Sequence, residues 1–143
     1  MAEIFLDTAY AVAYFSTRDE FHAKALELSK RLDNPETRLV TTQAVMIEIA
    51  NALSKAAYRQ AATIFLEALE TSPSVDIVAI SQDLFDRAFQ LYKSRFDKEW
   101  GLTDCMSFVV MTERKITNAL TTDKHFSQAG FNVLLRDEGG SNG

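Results

Sequence analysis

The chain has 143 residues, of which 47% are hydrophobic and 24% are charged, and its formal net charge is −5. This length suits one domain with one full-sized core, and the acidic balance argues against a nucleic-acid coat protein, which is usually basic. No apolar run approaches the roughly 20 residues of a membrane span, and no signal-peptide pattern opens the chain. A single cysteine cannot form an internal disulfide, so we expect a cytoplasmic protein.

Short apolar segments alternate with amphipathic segments along the chain. The short segments predict strands at 3–6, 38–41, 75–80, 119–122 and 132–135. The amphipathic segments, with apolar residues spaced three and four apart, predict helices at 8–16, 19–33, 43–56, 58–71, 81–96, 103–115 and 123–129. No hairpin signal joins two strands, so the alternation predicts an α/β fold with a mainly parallel central sheet of about four to five strands.

The domain organisation follows from the distribution of glycine and proline. Three of the five glycines lie at positions 139, 140 and 143, and no internal linker divides the chain. We therefore expect a single domain over residues 1–136 and a disordered tail at 137–143.

Four acidic residues stand beside apolar segments, where an uncompensated carboxylate is costly. Asp7 ends the first strand and Asp123 follows the strand at 119–122, so both are expected at the carboxyl edge of a parallel sheet, where ligand sites form. Asp104 lies in the first turn of its helix, whose positive end stabilises an anion. Glu48 interrupts an apolar helix, and Asn51 on the same helix face is expected to point towards the same cavity.

These four acids are predicted to meet and to bind a divalent cation. Carboxylates at contact distance repel one another by several kcal/mol, so they stay ionised together only around a cation, or one of them takes up a proton. Oxygen ligands favour magnesium or manganese, and the chain has no pair of thiolates or histidines at zinc-like spacing. Each acid alone is as well explained as a helix cap or a solvated residue. Their combination and order favour a metal site that cleaves phosphodiesters.

The motifs around these acids resemble those of the PIN-domain family, and especially of its VapC-type toxins from toxin–antitoxin pairs. The matching segments are Phe5-Leu6-Asp7-Thr8, 41–49, 102–108 and 121–126, and the resemblance covers residues 4–135. It implies a three-layer α/β/α fold and an endoribonuclease that depends on Mg²⁺ or Mn²⁺. The residues that match the family's catalytic and metal-holding acids are Asp7, Glu48, Asp104 and Asp123.

The same resemblance implies supporting residues and partners. Thr8 and Thr103 would support the site through hydroxyl hydrogen bonds. The substrate would be RNA, and the protein would form a homodimer. An antitoxin protein would lie across the early helices and place a basic side chain near the acids.

Several other residues leave two interpretations open. Lys124 and His125 either contact phosphate or are surface residues at a helix start, which we favour. Trp100 either stacks on a base or seals the loop before Asp104, which we favour. The apolar positions Ile49, Leu53, Phe65 and Leu69 belong to a partner surface, a dimer interface or the core, and we favour the core.

Alternative functions remain open on sequence grounds. A housekeeping RNA-processing PIN nuclease would share the chemistry, and a small upstream gene for a DNA-binding protein would favour the toxin instead. A non-catalytic PIN-like module that binds RNA or protein is disfavoured because no acid is missing. A phosphatase of the haloacid-dehalogenase type is disfavoured because Ala9 stands where its second aspartate is required.

Overall fold

A five-stranded parallel sheet forms the centre of the molecule. The structure is a computed structural model that describes residues 2–136, so the tail predicted at 137–143 lies outside the described residues. The sheet order is β3-β2-β1-β4-β5 and every neighbouring pair is parallel, which confirms the predicted sheet. Its strands are Glu3–Leu6 (β1), Arg38–Thr42 (β2), Val75–Val78 (β3), Asn118–Leu120 (β4) and Asn132–Val133 (β5).

Each predicted helix is present within residues 2–136, although most ends differ. The helices are Thr8–Phe15 (α1), His22–Leu32 (α2), Gln43–Ala52 (α3), Ala56–Thr71 (α4), Gln82–Ser94 (α5), Leu102–Arg114 (α6) and Lys124–Gln128 (α7). The largest difference is the end of α3, which was predicted at residue 56 and lies at Ala52. The start of α2 was predicted at residue 19 and lies at His22. The carboxylate of Asp19 accepts a hydrogen bond from the Phe21 backbone N–H at 2.8 Å, and this local turn delays the helix.

Helices cover both faces of the sheet, because successive strand residues point to opposite sides. Phe5 lies level with Val40 and Ala119 and packs against a buried cluster that includes α3, α5, α6 and α7. Leu6 lies level with Leu120 and packs against a second cluster formed largely by α1, α2 and the end of α4. These two cores give the three-layer α/β/α arrangement.

The apolar positions with open interpretations are resolved in favour of the core. Ile49, Leu53 and Leu69 are at most 5% exposed, and Phe65 is half-buried. Trp100 is buried, packs edge-on against Phe108 and donates its indole N–H to the Gln128 side chain at 3.0 Å. The tryptophan therefore seals the loop before α6, as predicted. No helix within residues 2–136 combines the length and the apolar character needed to cross a membrane.

The strand order places a switch point beside β1. From β1 the chain adds β2 and β3 on one side and then β4 and β5 on the other. In open parallel sheets, the crevice at such a reversal lies outside the carboxyl ends of the two strands and is the usual ligand site. Asp7 follows β1 and Asp123 comes shortly after β4, so both lie at this crevice.

Candidate active site

Asp7 is the most deeply buried acid of the site, with 4% of its surface exposed. The Thr121 hydroxyl donates a hydrogen bond of 2.7 Å to its Oδ2 atom. Burial raises the pKa of Asp7 to about 7, and the nearby charges of Asp104 and Asp123 add to the rise, while the Thr121 hydrogen bond opposes it. Asp7 is thus poised between the neutral and the ionised form near neutral pH.

Asp104 lies in the first turn of α6 and is partly buried. Its Oδ2 atom accepts a hydrogen bond from the Gly101 backbone N–H at 3.2 Å. Burial raises the pKa of Asp104, and the charge of Asp123 raises it further. The helix begins at Leu102, one residue before its predicted start, and Gly101 is the residue that precedes it. Within residues 2–136 the Thr103 hydroxyl forms no hydrogen bond to the acids, so a supporting role has no contact behind it.

Asp123 caps the start of α7, as predicted. Its Oδ1 atom accepts a hydrogen bond from the His125 backbone N–H at 2.9 Å, and its own backbone N–H donates to the Thr121 hydroxyl at 3.1 Å. Thr121 therefore contacts both Asp7 and Asp123. This double contact links the acid after β1 to the acid after β4 and fixes them relative to each other.

His125 is half-buried and reaches both acids at the helix starts. Its Nδ1 atom lies 3.1 Å from Oδ2 of Asp104 and 3.5 Å from Oδ1 of Asp123. The preferred interpretation of this histidine as an ordinary surface residue is therefore wrong. Lys124, by contrast, is exposed.

Glu48 is exposed on α3, and its Oε1 atom accepts a hydrogen bond of 2.8 Å from the Thr8 hydroxyl. Thr8 directly follows Asp7, so this bond attaches α3 to the start of α1 and holds Glu48 at the rim of the site. Asn51 is also exposed on α3, and its side chain forms no hydrogen bond within residues 2–136. Its predicted participation thus has no contact to support it.

The site has the composition of a cation site. One donor atom each from Asp104, Asp123 and His125 lies within 4.8 Å of the other two. Asp7 and Glu48 are outside this set, although Asp7 feels the charge of both aspartates. Among the described residues no lysine or arginine forms an ion pair with these aspartates. A divalent cation fits, because it would compensate carboxylates that have no lysine or arginine partner among the described residues.

Thr121 was missed from the sequence, and for His125 the surface interpretation was favoured. Thr121 and His125 each stand two positions from Asp123 in the segment 121–125. A hydroxyl two residues before an aspartate that caps a helix is a signal for local backbone bonding. Nothing in the local sequence indicates that Thr121 reaches Asp7 or that His125 reaches Asp104, because these contacts join distant parts of the chain.

Comparisons with known proteins address the family and the fold of the chain. The model of the PIN domain family matches residues 4–132. The chain is 31% identical to the 23S rRNA-specific endonuclease VapC20 of Mycobacterium tuberculosis over 136 residues, which cover 94% of this chain and 99% of that protein. The crystal structure of M. tuberculosis VapC20, described as a Sarcin-Ricin loop cleaving toxin, matches 90% of this chain and 95% of its own at a TM-score of 0.78 and 28% identity.

Two more distant structures share the fold. VapBC2 from Rickettsia felis matches at a TM-score of 0.61 with 14% identity, over 92% of this chain and 96% of that chain. FitAcB from Neisseria gonorrhoeae matches at a TM-score of 0.63 with 17% identity, over 91% of this chain and 95% of that chain. The resemblance inferred from the motifs is confirmed, and the chain belongs to the PIN-domain family.

Proposed function

We propose that this protein is a metal-dependent endoribonuclease and the toxin of a toxin–antitoxin pair. The observation that carries the proposal is the convergence of Asp7, Asp104 and Asp123, without a lysine or arginine partner among the described residues, at the switch point of the sheet. The similarity to VapC20, which is named as an endonuclease of 23S rRNA and a toxin, supports the reaction, the RNA substrate and the toxin role.

We assign the cation, Mg²⁺ or Mn²⁺, to Asp104 and Asp123, with Asp7 behind them and Glu48 at the rim. When bound, the cation supplies an activated water and stabilises charge that develops on the phosphate. The residues of the chain prepare the site. Thr121 holds Asp7 and Asp123 in register, and the Gly101 backbone N–H orients Asp104. A bound cation would offset the burial that raises the pKa of Asp7 and would favour the ionised form of this carboxyl group.

The deciding experiment is RNA cleavage in the presence of Mg²⁺, Mn²⁺ or EDTA, with 23S rRNA and total RNA as substrates. We expect cleavage that requires the cation. Asp7→Asn and Asp104→Asn should each lose more activity than the roughly 10- to 100-fold that the loss of an outer-shell partner costs. Glu27→Gln, which removes an exposed acid on α2, is the matched control and should cut like the wild type.

Two results would contradict the proposal. One is the absence of any cation-dependent cleavage in both RNA pools together with the absence of Mn²⁺ binding by calorimetry. The other is cleavage by both aspartate variants at the wild-type rate.

An apolar groove between α1 and α4 supports an antitoxin partner. Tyr14 and Phe15 line one side, and Ile64, which is 60% exposed, lies on the other. The groove has a volume of about 350 Å³. An amphipathic helix binds such a groove through apolar side chains spaced three or four residues apart. We assign the antitoxin to this groove, on the early helices.

An aromatic stripe on α5 supports a homodimer. Phe85, Phe89 and Tyr92 are each about two-fifths exposed, and Phe96 just beyond the helix is 94% exposed. Their spacing of four, three and four residues places them on one side of the helix. The neighbouring Arg87 and Arg95 already pair with acids. They are therefore poorly placed to attract phosphate, and a second protein copy suits the stripe better than RNA.

A further inference from the structure

His125 is the one side chain at the site that the proposed function has not used. It belongs to α7, a short helix whose next residue, Phe126, is fully buried between the rings of Phe5 and Phe108. This packing anchors the backbone of α7, so the imidazole stands on a rigid element. From there the Nδ1 atom lies 3.1 Å from Oδ2 of Asp104, which belongs to helix α6.

We propose that His125 is a positioning residue for the cation site, in which its Nδ1–H group orients Asp104 and its backbone N–H orients Asp123. The proposal rests on the proposed metal-dependent function. It assigns to His125 a hydrogen-bonding role towards the two carboxylates and no place among the metal ligands.

The hydrogen bonds determine which oxygen of each carboxylate is left for a cation. Oδ2 of Asp104 receives the Gly101 backbone N–H at 3.2 Å and the His125 ring at 3.1 Å. Oδ1 of Asp123 receives the His125 backbone N–H at 2.9 Å. The second oxygen of each group, Oδ1 of Asp104 and Oδ2 of Asp123, therefore remains available. A single residue thus orients both acids, through its ring and through its backbone.

The donor role follows from the chemistry of the three groups. Two ionised carboxylates at this separation repel each other, and an N–H group between them lowers that repulsion. An Nδ1 atom at hydrogen-bond distance from a carboxylate carries the proton that the bond requires. Its lone pair is then absent, so this nitrogen cannot bind a metal while the bond persists.

The test measures Mn²⁺ affinity by titration calorimetry in three variants of the full chain. His125→Leu removes the donor and keeps a similar volume. We expect affinity to fall by about 10- to 100-fold, the usual cost of losing an outer-shell partner. His125→Asn keeps an N–H group near the position of Nδ1 and should restore most of the affinity. Ser127→Ala, an exposed change on the same helix, should bind like the wild type.

The controls separate this inference from folding defects and from the proposed function. Cooperative thermal unfolding of the metal-free variants checks that they are folded, and the Asn variant tests the role even if the Leu variant is unstable. Wild-type affinity in His125→Leu would overturn the inference, as would an Asn variant that binds as weakly as Leu. Pulsed electron paramagnetic resonance that shows imidazole nitrogen bound directly to Mn²⁺ would also overturn it. If neither the wild type nor Asp104→Asn binds Mn²⁺ by calorimetry, the proposed function itself fails.

Discussion

Asp7 belongs to the proposed cation site, and its buried carboxyl group is also expected to lower the stability of the metal-free protein. Its carboxyl group is nearly inaccessible to water, and its charged neighbours have the same sign. Burying such a charge costs free energy unless a cation or a proton compensates it. The metal-free protein is therefore expected to be less stable than a variant without this acid, in the way that active sites often sacrifice stability.

The stability of the metal-free protein should consequently fall as pH rises from about 4 to about 7. The unfolded chain has an aspartate pKa near 3.9, whereas the folded pKa of Asp7 is about 7. Between these values the folded state holds a proton that the unfolded state has lost, so each pH unit costs up to about 1.4 kcal/mol. The stabilising contribution is complete below pH 4 and is lost as pH passes through 7.

Denaturant unfolding in EDTA between pH 4 and pH 8 measures this effect. Asp7→Asn should remove most of the decline and should be the more stable protein at pH 8. Adding Mn²⁺ at pH 8 should stabilise the wild type and have little effect on the variant. Parallel pH profiles for the two proteins would show that Asp7 does not carry the effect.

Helix α5 carries the exposed aromatic stripe to which we assign the homodimer interface. Asp86 and Lys93 lie seven residues apart, two turns along the helix, beside the aromatic stripe. In the proposed dimer, the two copies of α5 would pack antiparallel about a two-fold axis near the middle of the stripe. Asp86 of each copy would then lie opposite Lys93 of the other. An isologous dimer requires this kind of self-complementary patch.

Charge exchange on α5 tests the dimer. Asp86→Lys and Lys93→Asp should each weaken self-association, because each places like charges opposite one another. The double variant should restore it. An exposed pair contributes about 1 kcal/mol or less and would occur twice in such a dimer, so the dissociation constant should change by at most roughly 30-fold. Analytical ultracentrifugation over a concentration series measures the change.

A control and a contrary outcome complete this experiment. Glu27→Lys on α2 changes the net charge as much as Asp86→Lys does, and it should leave association unchanged. A wild-type protein that stays monomeric at all concentrations, or a double variant no better than the single variants, would exclude this surface as the dimer interface.

Across the whole molecule, neither proposed partner surface includes an acid of the site. The groove is lined by residues of α1 and α4, and the aromatic stripe belongs to α5 and the segment after it, whereas Asp7, Asp104 and Asp123 lie outside these elements. Substitutions in the groove should therefore alter regulation and leave the reaction intact.

Ile64→Glu should separate inhibition from catalysis. A charged side chain in an apolar groove is costly to desolvate, so the protein encoded beside this gene should no longer inhibit the variant. RNA cleavage by the isolated variant should equal that of the wild type. Thr63→Glu, on the neighbouring exposed position, is the control. If the partner inhibits Ile64→Glu as strongly as the wild type, the antitoxin binds elsewhere.

The alternation of strands and helices and the set of four acids could both be predicted from the sequence. Periodicity is a local property, so a parallel α/β sheet follows from it once hairpin signals are absent. The acids can be recognised in the sequence because each interrupts or adjoins an apolar segment. The motifs around them also identify the family, whose model matches the same part of the chain.

The hydrogen bonds that hold the acids, and the neighbouring residues that form them, could be seen only in the folded structure. The Thr121 hydroxyl reaches Asp7 across 114 positions of the chain, and His125 reaches Asp104 across 21. Glu48 lies at the rim of the site and is hydrogen-bonded to Thr8. The side chains of Asn51 and Thr103 make no hydrogen bond to the acids within residues 2–136. The physical reason is that strand order and helix packing set these distances, and neither can be inferred from the spacing of residues along one segment.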